Sequence, residues 1–544
     1  MTGKDRKVLL FSAFILALAI TVALIPPLMK GAVRLAIVDV PDERKVHVGA
    51  VPRVGGIAMV IGAIVPMLLW VPMDQMLSGL LMALAVLLVF GAWDDSRDLD
   101  YRFKFLGQIL AALIVVYVGG IKIAVFPFAG FDPVPAFVSI PVTLVFLIGI
   151  TNAVNLSDGL DGLAAGIAFL SLCGVALLAY LADAPDIVLM CFAVAGVVFG
   201  FLRYNTFPAR VFMGDTGSQF LGFVIAVLAV ALTQNVNTAL NPLLPLFLVG
   251  LPIIDTLLVM YTRTRAGRSP FSPDKNHIHH QLLAVGMEHY EAVSFIYVTQ
   301  ILFVICAILL RYESDLMAGA VYLLLSVSVV ILMRFVSGHD WKSKRAYVTE
   351  FVARVDRRQG IGGAATQVIG CGLAAYLLFG ALVPARVSVD LVVSAAAMFV
   401  LLLARLIWSQ QLRFIPLRLL IFPAIAFVVY LLHYDVHAAS ILPSALRLGL
   451  LAALIVAMLL AVRYSRKDVF QTTPTDILVI ALIGGVGVLY EHGIVETELA
   501  PMVVELVLLF YAAELTMRQM QGAGNCFTLG VLGGLALLSA RIFV

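Results

Sequence analysis

Two adjacent aspartates, Asp94 and Asp95, close an apolar run in the stretch GAWDDSRDLDYRFK. Their charges repel, so without a cation one of them is expected to hold a proton and to serve as a proton acceptor or metal ligand. Asn152, Asn155, Asp158 and Asp161 follow at intervals of three in TNAVNLSDGLDGLAAG. On an ideal helix each such step turns back by about 60°, so the four share a site only if the helix breaks. Gly159 and Gly162 permit that break. Asp215 stands between glycines in RVFMGDTGSQFLG, directly before another apolar run. A carboxylate leaving a sharp turn at a helix N-terminus is a good place for metal and phosphate together.

Cationic groups complete the set. Arg44, Lys45, His47 and Arg53 lie ahead of the Gly55-Gly56 pair; cationic donors beside flexible glycine backbone suit a phosphate. His277, His279 and His280 follow a basic stretch containing Arg263, Arg265, Arg268 and Lys275. On a helix His277 and His280 share a face while His279 points about 200° away, so all three converge only at a helix boundary or bend. A zinc site lacks a clear fourth ligand nearby, and histidines donating to a nucleotide diphosphate fit the cationic surroundings better. Asp255, inside an apolar run, reads equally as a structural hydrogen-bonding group or a substrate contact.

The elements that must carry these residues follow from composition. Of 544 residues, 62% are apolar and 13% charged, with a mean hydropathy of +1.05, whereas soluble domains run about 45–50% apolar and about 25% charged. A soluble globular protein is excluded. The expected fold class is all-α, a polytopic membrane protein of about 18 transmembrane helices. Eleven spans are expected at 8–29, 54–72, 76–93, 105–120, 137–153, 160–181, 187–203, 218–233, 242–261, 291–310 and 316–335. Seven more begin near 362, 388, 417, 444, 475, 501 and 526. The first run is too long for a signal peptide and is read as a retained span. A basic stretch near 337–361 marks the division, giving a core at 1–340, a basic cytoplasmic linker at 341–361 and a C-terminal membrane domain at 362–544.

With the connection 30–53 in the cytoplasm, 28 of the 36 Lys and Arg residues fall inside; Lys4, Arg6 and Lys7 dissent. The five polar clusters then share the cytoplasmic face. The five cysteines, all within apolar runs, are expected to be inert core residues, and His433, His437 and Glu491 to be solvated loop residues.

The order and wording of the clusters resemble the bacterial polyprenyl-phosphate N-acetylhexosamine-1-phosphate transferases, the glycosyltransferase family 4 relatives of phospho-N-acetylmuramoyl-pentapeptide transferase. The resemblance rests on Asp94-Asp95 followed by Lys104 and Gln108, on NAVNLSDGLDGLA, on MGDTGS, and on HIHH from His277, and it covers residues 5–340. HIHH with PDERKVH upstream looks more like the branch that takes UDP-N-acetylhexosamines. The resemblance implies transfer of an N-acetylhexosamine 1-phosphate from a UDP-sugar to polyprenyl phosphate, releasing UMP and starting envelope polysaccharide synthesis. It implies Mg2+, with Mn2+ as the other candidate, on Asp215 with help from Asp95. Asp94 would deprotonate or position the lipid phosphate, and an aspartyl-phosphate route is the alternative. Asp158 and Asp161 join the catalytic set, while Arg44, Lys45, His47, Asn152, Asn155, His277, His279 and His280 would bind substrate.

The implied partners are the UDP-sugar, polyprenyl phosphate and membrane lipid, with no nucleic acid and with a homodimer compatible. The implied location is the bacterial inner membrane, with the site facing the cytoplasm. A proton-coupled transporter is the competing reading, but carriers place charge near the midplane in repeated halves, and no repeat is visible here. The C-terminal part reads as a scaffold or a later-step polysaccharide module.

Overall fold

The computed structural model describes residues 3–34, 37–39, 50–128, 133–269, 276–337, 360–383, 387, 389–407, 417–434, 444–463, 499–519 and 526–540. Arg44, Lys45, His47, Lys275, His437, Glu491 and the span expected near 475 lie outside the described residues. The chain forms two compact units, one made by the described residues up to Ser337 and one by those from Gly360.

In the first unit, α1 (Gly3–Arg34), α2 (Gly55–Trp70), α3 (Gln75–Arg97), α4 (Tyr101–Tyr117), α5 (Ala136–Leu156), α6 (Leu163–Leu181), α7 (Pro185–Asn205) and α8 (Gly214–Ala231) follow the hydropathy pattern. Then come α9 (Leu244–Leu248), α10 (Gly250–Arg265), α11 (Ile278–Ala284), α12 (His289–Leu309) and α13 (Asp315–Ser337). Among the described residues nine helices are long and apolar enough to cross a bilayer, and several shorter apolar ones join them. The chain is an all-α, multi-pass membrane protein.

α8 is apolar throughout after Gln219, and such a helix belongs at the centre of a bundle. It is buried from Thr216 to Ala231, with α2, α3, α5 and α6 around it. α3 starts where Asp74 accepts the Leu77 backbone N–H at 2.8 Å, and α4 where Asp100 accepts that of Arg102 at 2.9 Å. The Asp100 cap lies in the chain reversal between α3 and α4, where Asp98 closes α3 in the left-handed conformation. The two-residue strands β1 (Val38–Asp39) and β2 (Val51–Pro52) pair antiparallel, with Val38 opposite Pro52. Arg53 then bridges to Phe212 just ahead of α8.

One expected span is broken. The run 242–261 divides into α9 and α10 at Val249, where Pro245, Gly250 and Pro252 deny the backbone a continuous hydrogen-bond ladder. Gln300 from α12 spans the gap, accepting the Leu251 N–H at 3.2 Å and donating to the Leu248 carbonyl at 2.8 Å. A side-chain amide thus satisfies groups that lipid could not.

The second unit contains α14 (Gly360–Leu382), α15 (Val389–Ile407), α16 (Arg418–Tyr434), α17 (Ser444–Arg463), α18 (Leu499–Gln519) and α19 (Cys526–Ala540). Leu373, Leu377, Ile421, Ile425, Leu509 and Phe527 lie in its core. His433 is no solvated loop residue: it sits in the last turn of α16, buried, with Nε2 3.5 Å from Glu505, which also accepts from the Tyr376 hydroxyl. Of the cysteines only Cys191 is buried; Cys371 and Cys526 are exposed.

Candidate active site

The adjacent aspartates take different partners. Asp94 is 2% exposed and accepts the Leu99 N–H at 2.7 Å, while its other oxygen lies 2.6 Å from the Lys104 ammonium. Lys104 also donates to Asp215 at 2.9 Å and so bridges two carboxylates. Asp95 accepts the backbone N–H of Asp215 at 2.7 Å, that of Thr216 at 3.1 Å and the Thr216 hydroxyl at 2.6 Å. It caps α8 from a neighbouring helix, and a carboxylate suits the positive end of a helix dipole. The expected repulsion is thus relieved by a lysine and a helix end. Gly214 makes this approach possible: its φ is +67°, and a Cβ there would lie inside the Asp95 carboxylate.

The expected helix break is present. α5 ends at Leu156, the backbone turns through Ser157 to Gly162 with φ +78° at the last, and α6 begins at Leu163. Asn155, on the final turn of α5, donates to Asp215 and, at 2.8 Å, to Ser218. Asp158 follows in the turn, where burial first, then the charges of Asp215, Asp161 and Asp95, pushes its carboxyl up to about 7. Asp161 accepts the Ala209 N–H at 2.8 Å, tying this turn to the loop between α7 and α8. Asn205 braces the same joint, accepting from Gly162 at 2.8 Å and donating to Val211 at 2.9 Å. Asn152 faces elsewhere: its amide donates to Gln108 of α4 at 2.7 Å and to Ile148 at 2.8 Å.

The histidines converge because the helix begins among them. His277 is the residue before α11, with extended backbone. Its Nδ1 lies 2.9 Å from Asp255, whose other oxygen accepts the Ile278 N–H at 2.8 Å. Asp255 therefore does hydrogen-bonding work for the histidine segment. The rings run in a row, with His277 to His279 centroids 5.8 Å apart at 10° and His279 to His280 4.3 Å apart at 45°. His279 is 3% exposed and lies over Gly159, where a Cβ would collide with its ring. Burial, then the neighbouring His280 and His277, lowers its pKa to about 3, so the ring is neutral at physiological pH.

Part of this set lines one cavity of about 900 Å³, while Asp94, Asn152, Asp255, His277 and His279 stand behind its wall or apart from it. Arg53, Asp95, Asp98, Lys104, Asn155, Asp158, Asp161, Asp215, Ser218 and His280 line it, together with Phe207, Arg210 and His289, which sequence reasoning did not single out. Arg53 joins Asp39 and, at 3.0 Å, Asp98. Six lining carboxylates (Asp39, Asp95, Asp98, Asp158, Asp161 and Asp215) face three lining cations (Arg53, Lys104 and Arg210). Such a wall repels anionic substrates unless a further cation enters. The donor set is nearly all oxygen, which suits a hard divalent ion such as magnesium better than zinc. Among the described residues no three His, Cys, Asp or Glu side chains form a closed metal centre.

Carboxylates, amides and histidines thus gather around one cavity at the ends of apolar helices. Residues 77–233 match the family model described as glycosyl transferase family 4. The chain is 36% identical over 311 residues to the probable undecaprenyl-phosphate N-acetylglucosaminyl 1-phosphate transferase of Bacillus subtilis, a match spanning 56% of this chain and 86% of that protein. It is also 36% identical over 297 residues to the decaprenyl-phosphate N-acetylglucosaminephosphotransferase of Mycolicibacterium smegmatis, covering 49% of this chain and 73% of that one. To the undecaprenyl-phosphate alpha-N-acetylglucosaminyl 1-phosphate transferase of Escherichia coli O157:H7 it is 28% identical over 339 residues, 60% of this chain and 90% of the relative. The chain belongs to this family of polyprenyl-phosphate N-acetylhexosamine-1-phosphate transferases.

Proposed function

We propose that the protein transfers N-acetylhexosamine 1-phosphate from a UDP-sugar to a polyprenyl phosphate, the first membrane-bound step of an envelope polysaccharide. The observation that supports this most is the acidic cavity in which Lys104, backed by Asp94, meets Asp215, the Asn155–Asp161 turn and His280. A phosphate oxygen of the lipid attacks the β-phosphorus of the donor, the bond from that phosphorus to the bridging oxygen breaks, and UMP leaves. Asp215, with Asp158 and Asp161 on the same cavity wall, would hold magnesium, which would supply charge neutralisation for the diphosphate and the departing UMP.

The chain's own groups do the remaining work. Asp95 fixes Asp215 through the α8 backbone, and Asn155 orients the Asp215 carboxylate. Lys104 balances Asp94 and Asp215 until phosphate arrives and then supplies a cation to it. Asp94 is buried behind Lys104, and both Asp95 oxygens accept from α8. Asp95 is committed to α8 through both oxygens, so we adopt direct attack by the lipid phosphate with Asp94 as the proton acceptor. Asp94 then positions Lys104 and takes the lipid phosphate's proton when Lys104 moves to substrate.

The excess of Lys and Arg in the connections alternating with 30–53 supports a cytoplasmic site in the inner membrane, where UDP-sugars are made. A donor labelled at its β-phosphorus tests the reaction with the purified protein. Label should pass to the lipid while unlabelled UMP is released; release of UDP, with the label left in the nucleotide, would exclude sugar-phosphate transfer.

A further inference from the structure

His289 is among the cavity groups that the proposed chemistry leaves unused. His289 begins α12 and lines the cavity, yet both its ring nitrogens are buried with no hydrogen-bond partner among the described residues. Buried polar atoms in that state cost free energy that a bound polar group recovers. The imidazole face is covered by Phe207, with ring centroids 4.5 Å apart and planes 24° from parallel. Phe207, in the loop between α7 and α8, is itself 50% exposed and lines the cavity. That loop is fixed: Arg210 N–H donates to Tyr204 at 2.8 Å, Ala209 to Asp161 at 2.8 Å and Phe212 to Pro52 at 2.9 Å.

We infer that Phe207 and His289 form the subsite for the donor's sugar, Phe207 meeting its C–H face and His289 hydrogen-bonding a hydroxyl or the acetamido group. This deepens, and rests on, the transferase reading. The two rings already stack on each other, so no slot is left between them for a planar nucleobase. A half-exposed aromatic ring against an imidazole whose buried nitrogens lack partners matches a pyranose, which presents apolar C–H bonds on one side and hydroxyls around its rim. Connectivity agrees: the sugar is bonded to the phosphate that is attacked, and Asp161, on the same wall, ties the Phe207 loop to the turn bearing Asp158.

Detergent-purified wild type, His289→Ala, His289→Asn and Phe207→Leu should be compared by calorimetric binding of UDP-N-acetylglucosamine and of UDP, and by KM for donor and lipid. His289→Ala and Phe207→Leu should raise the Kd and KM of the sugar nucleotide about tenfold while moving the Kd of UDP less than about twofold and leaving the lipid KM unchanged. His289→Asn, which restores a donor and an acceptor, should recover part of the loss. Equal weakening of UDP and sugar nucleotide would overturn the inference in favour of a nucleotide site, and unchanged binding of both would reduce the stack to packing. Wild type that binds the sugar nucleotide better than UDP but transfers nothing to lipid would contradict the transferase reading and leave this subsite standing.

Discussion

The carboxylate of Asp95 accepts the backbone N–H of Asp215 at 2.7 Å, across 120 residues of sequence. Through that bond the last polar turn of one buried helix fixes the first turn of another. The acidic pair thus divides its labour: Asp95 holds α8, and Asp94 meets Lys104.

This division separates two substitutions. Asp95→Asn weakens three hydrogen bonds made to a charged acceptor, each worth about 1.5–3 kcal/mol when lost outright, and should lower both turnover and the unfolding midpoint. Asp215→Asn should abolish turnover with little loss of midpoint, because it relieves a crowded set of carboxylates. Thermal unfolding with a thiol-reactive dye, run beside UMP release, reads both; an equal loss of midpoint in the two variants would deny the positioning role of Asp95.

Lys104 occupies the position between Asp94 and Asp215, at 2.6 and 2.9 Å, that a divalent ion on Asp215 would contest. Lys104→Ala should therefore lower the magnesium concentration needed for half-maximal thermal protection. Turnover should fall at least about 100-fold, as expected for a lost cationic contact to a transferring phosphoryl group. Weaker magnesium protection in this variant would show that Lys104 helps to assemble the ion site.

Asp255→Asn tests the support of the histidine row. The Asp255 carboxylate holds both the His277 ring and the Ile278 N–H, and Asn can keep only one acceptor. The donor KM should rise several-fold while kcat at saturation changes less. An unchanged donor KM would mean that the row does not face the nucleotide.

His279 gives a pH signature. Its ring is held neutral with a pKa lowered to about 3, against 6.5 for the free side chain. Between those values the unfolded chain binds the proton and the folded chain does not, so this group's contribution to stability falls as pH drops below 6.5. The cost is about 1.4 kcal/mol one unit below that point. Melting curves at pH 7.5 and 5.5 should show a smaller pH difference in His279→Gln than in wild type; identical differences would contradict the buried neutral ring.

Much of this site was legible in the sequence, for local reasons. Glycines at 159 and 162 announced the break after α5, and the glycines around Asp215 announced a carboxylate at a helix start. Partnerships were not legible when they joined distant segments. Asn152 looked like a fourth member of a ligand-reading row, but a helix turn directs it to Gln108. Asp255 could not be assigned without His277, which folds back upon it from another segment. His289 carried no signal beyond its position near an apolar run, because only the packed loop reveals that Phe207 covers it. The break between α9 and α10 was masked by unbroken hydropathy, although Pro245, Gly250 and Pro252 marked it. Likewise, apolar surroundings suggested core positions for cysteines, yet Cys371 and Cys526 lie on exposed faces, since a membrane helix is apolar toward lipid as well as inward.

The most direct test of the whole account is UMP release from UDP-N-acetylglucosamine and undecaprenyl phosphate, titrated with magnesium, in wild type and in Asp215→Asn. We expect release that needs magnesium, stops with EDTA and is absent from the variant at every magnesium concentration. Release that continues in EDTA, or that Asp215→Asn leaves intact, would contradict an acidic cavity that joins two anionic substrates through a divalent ion.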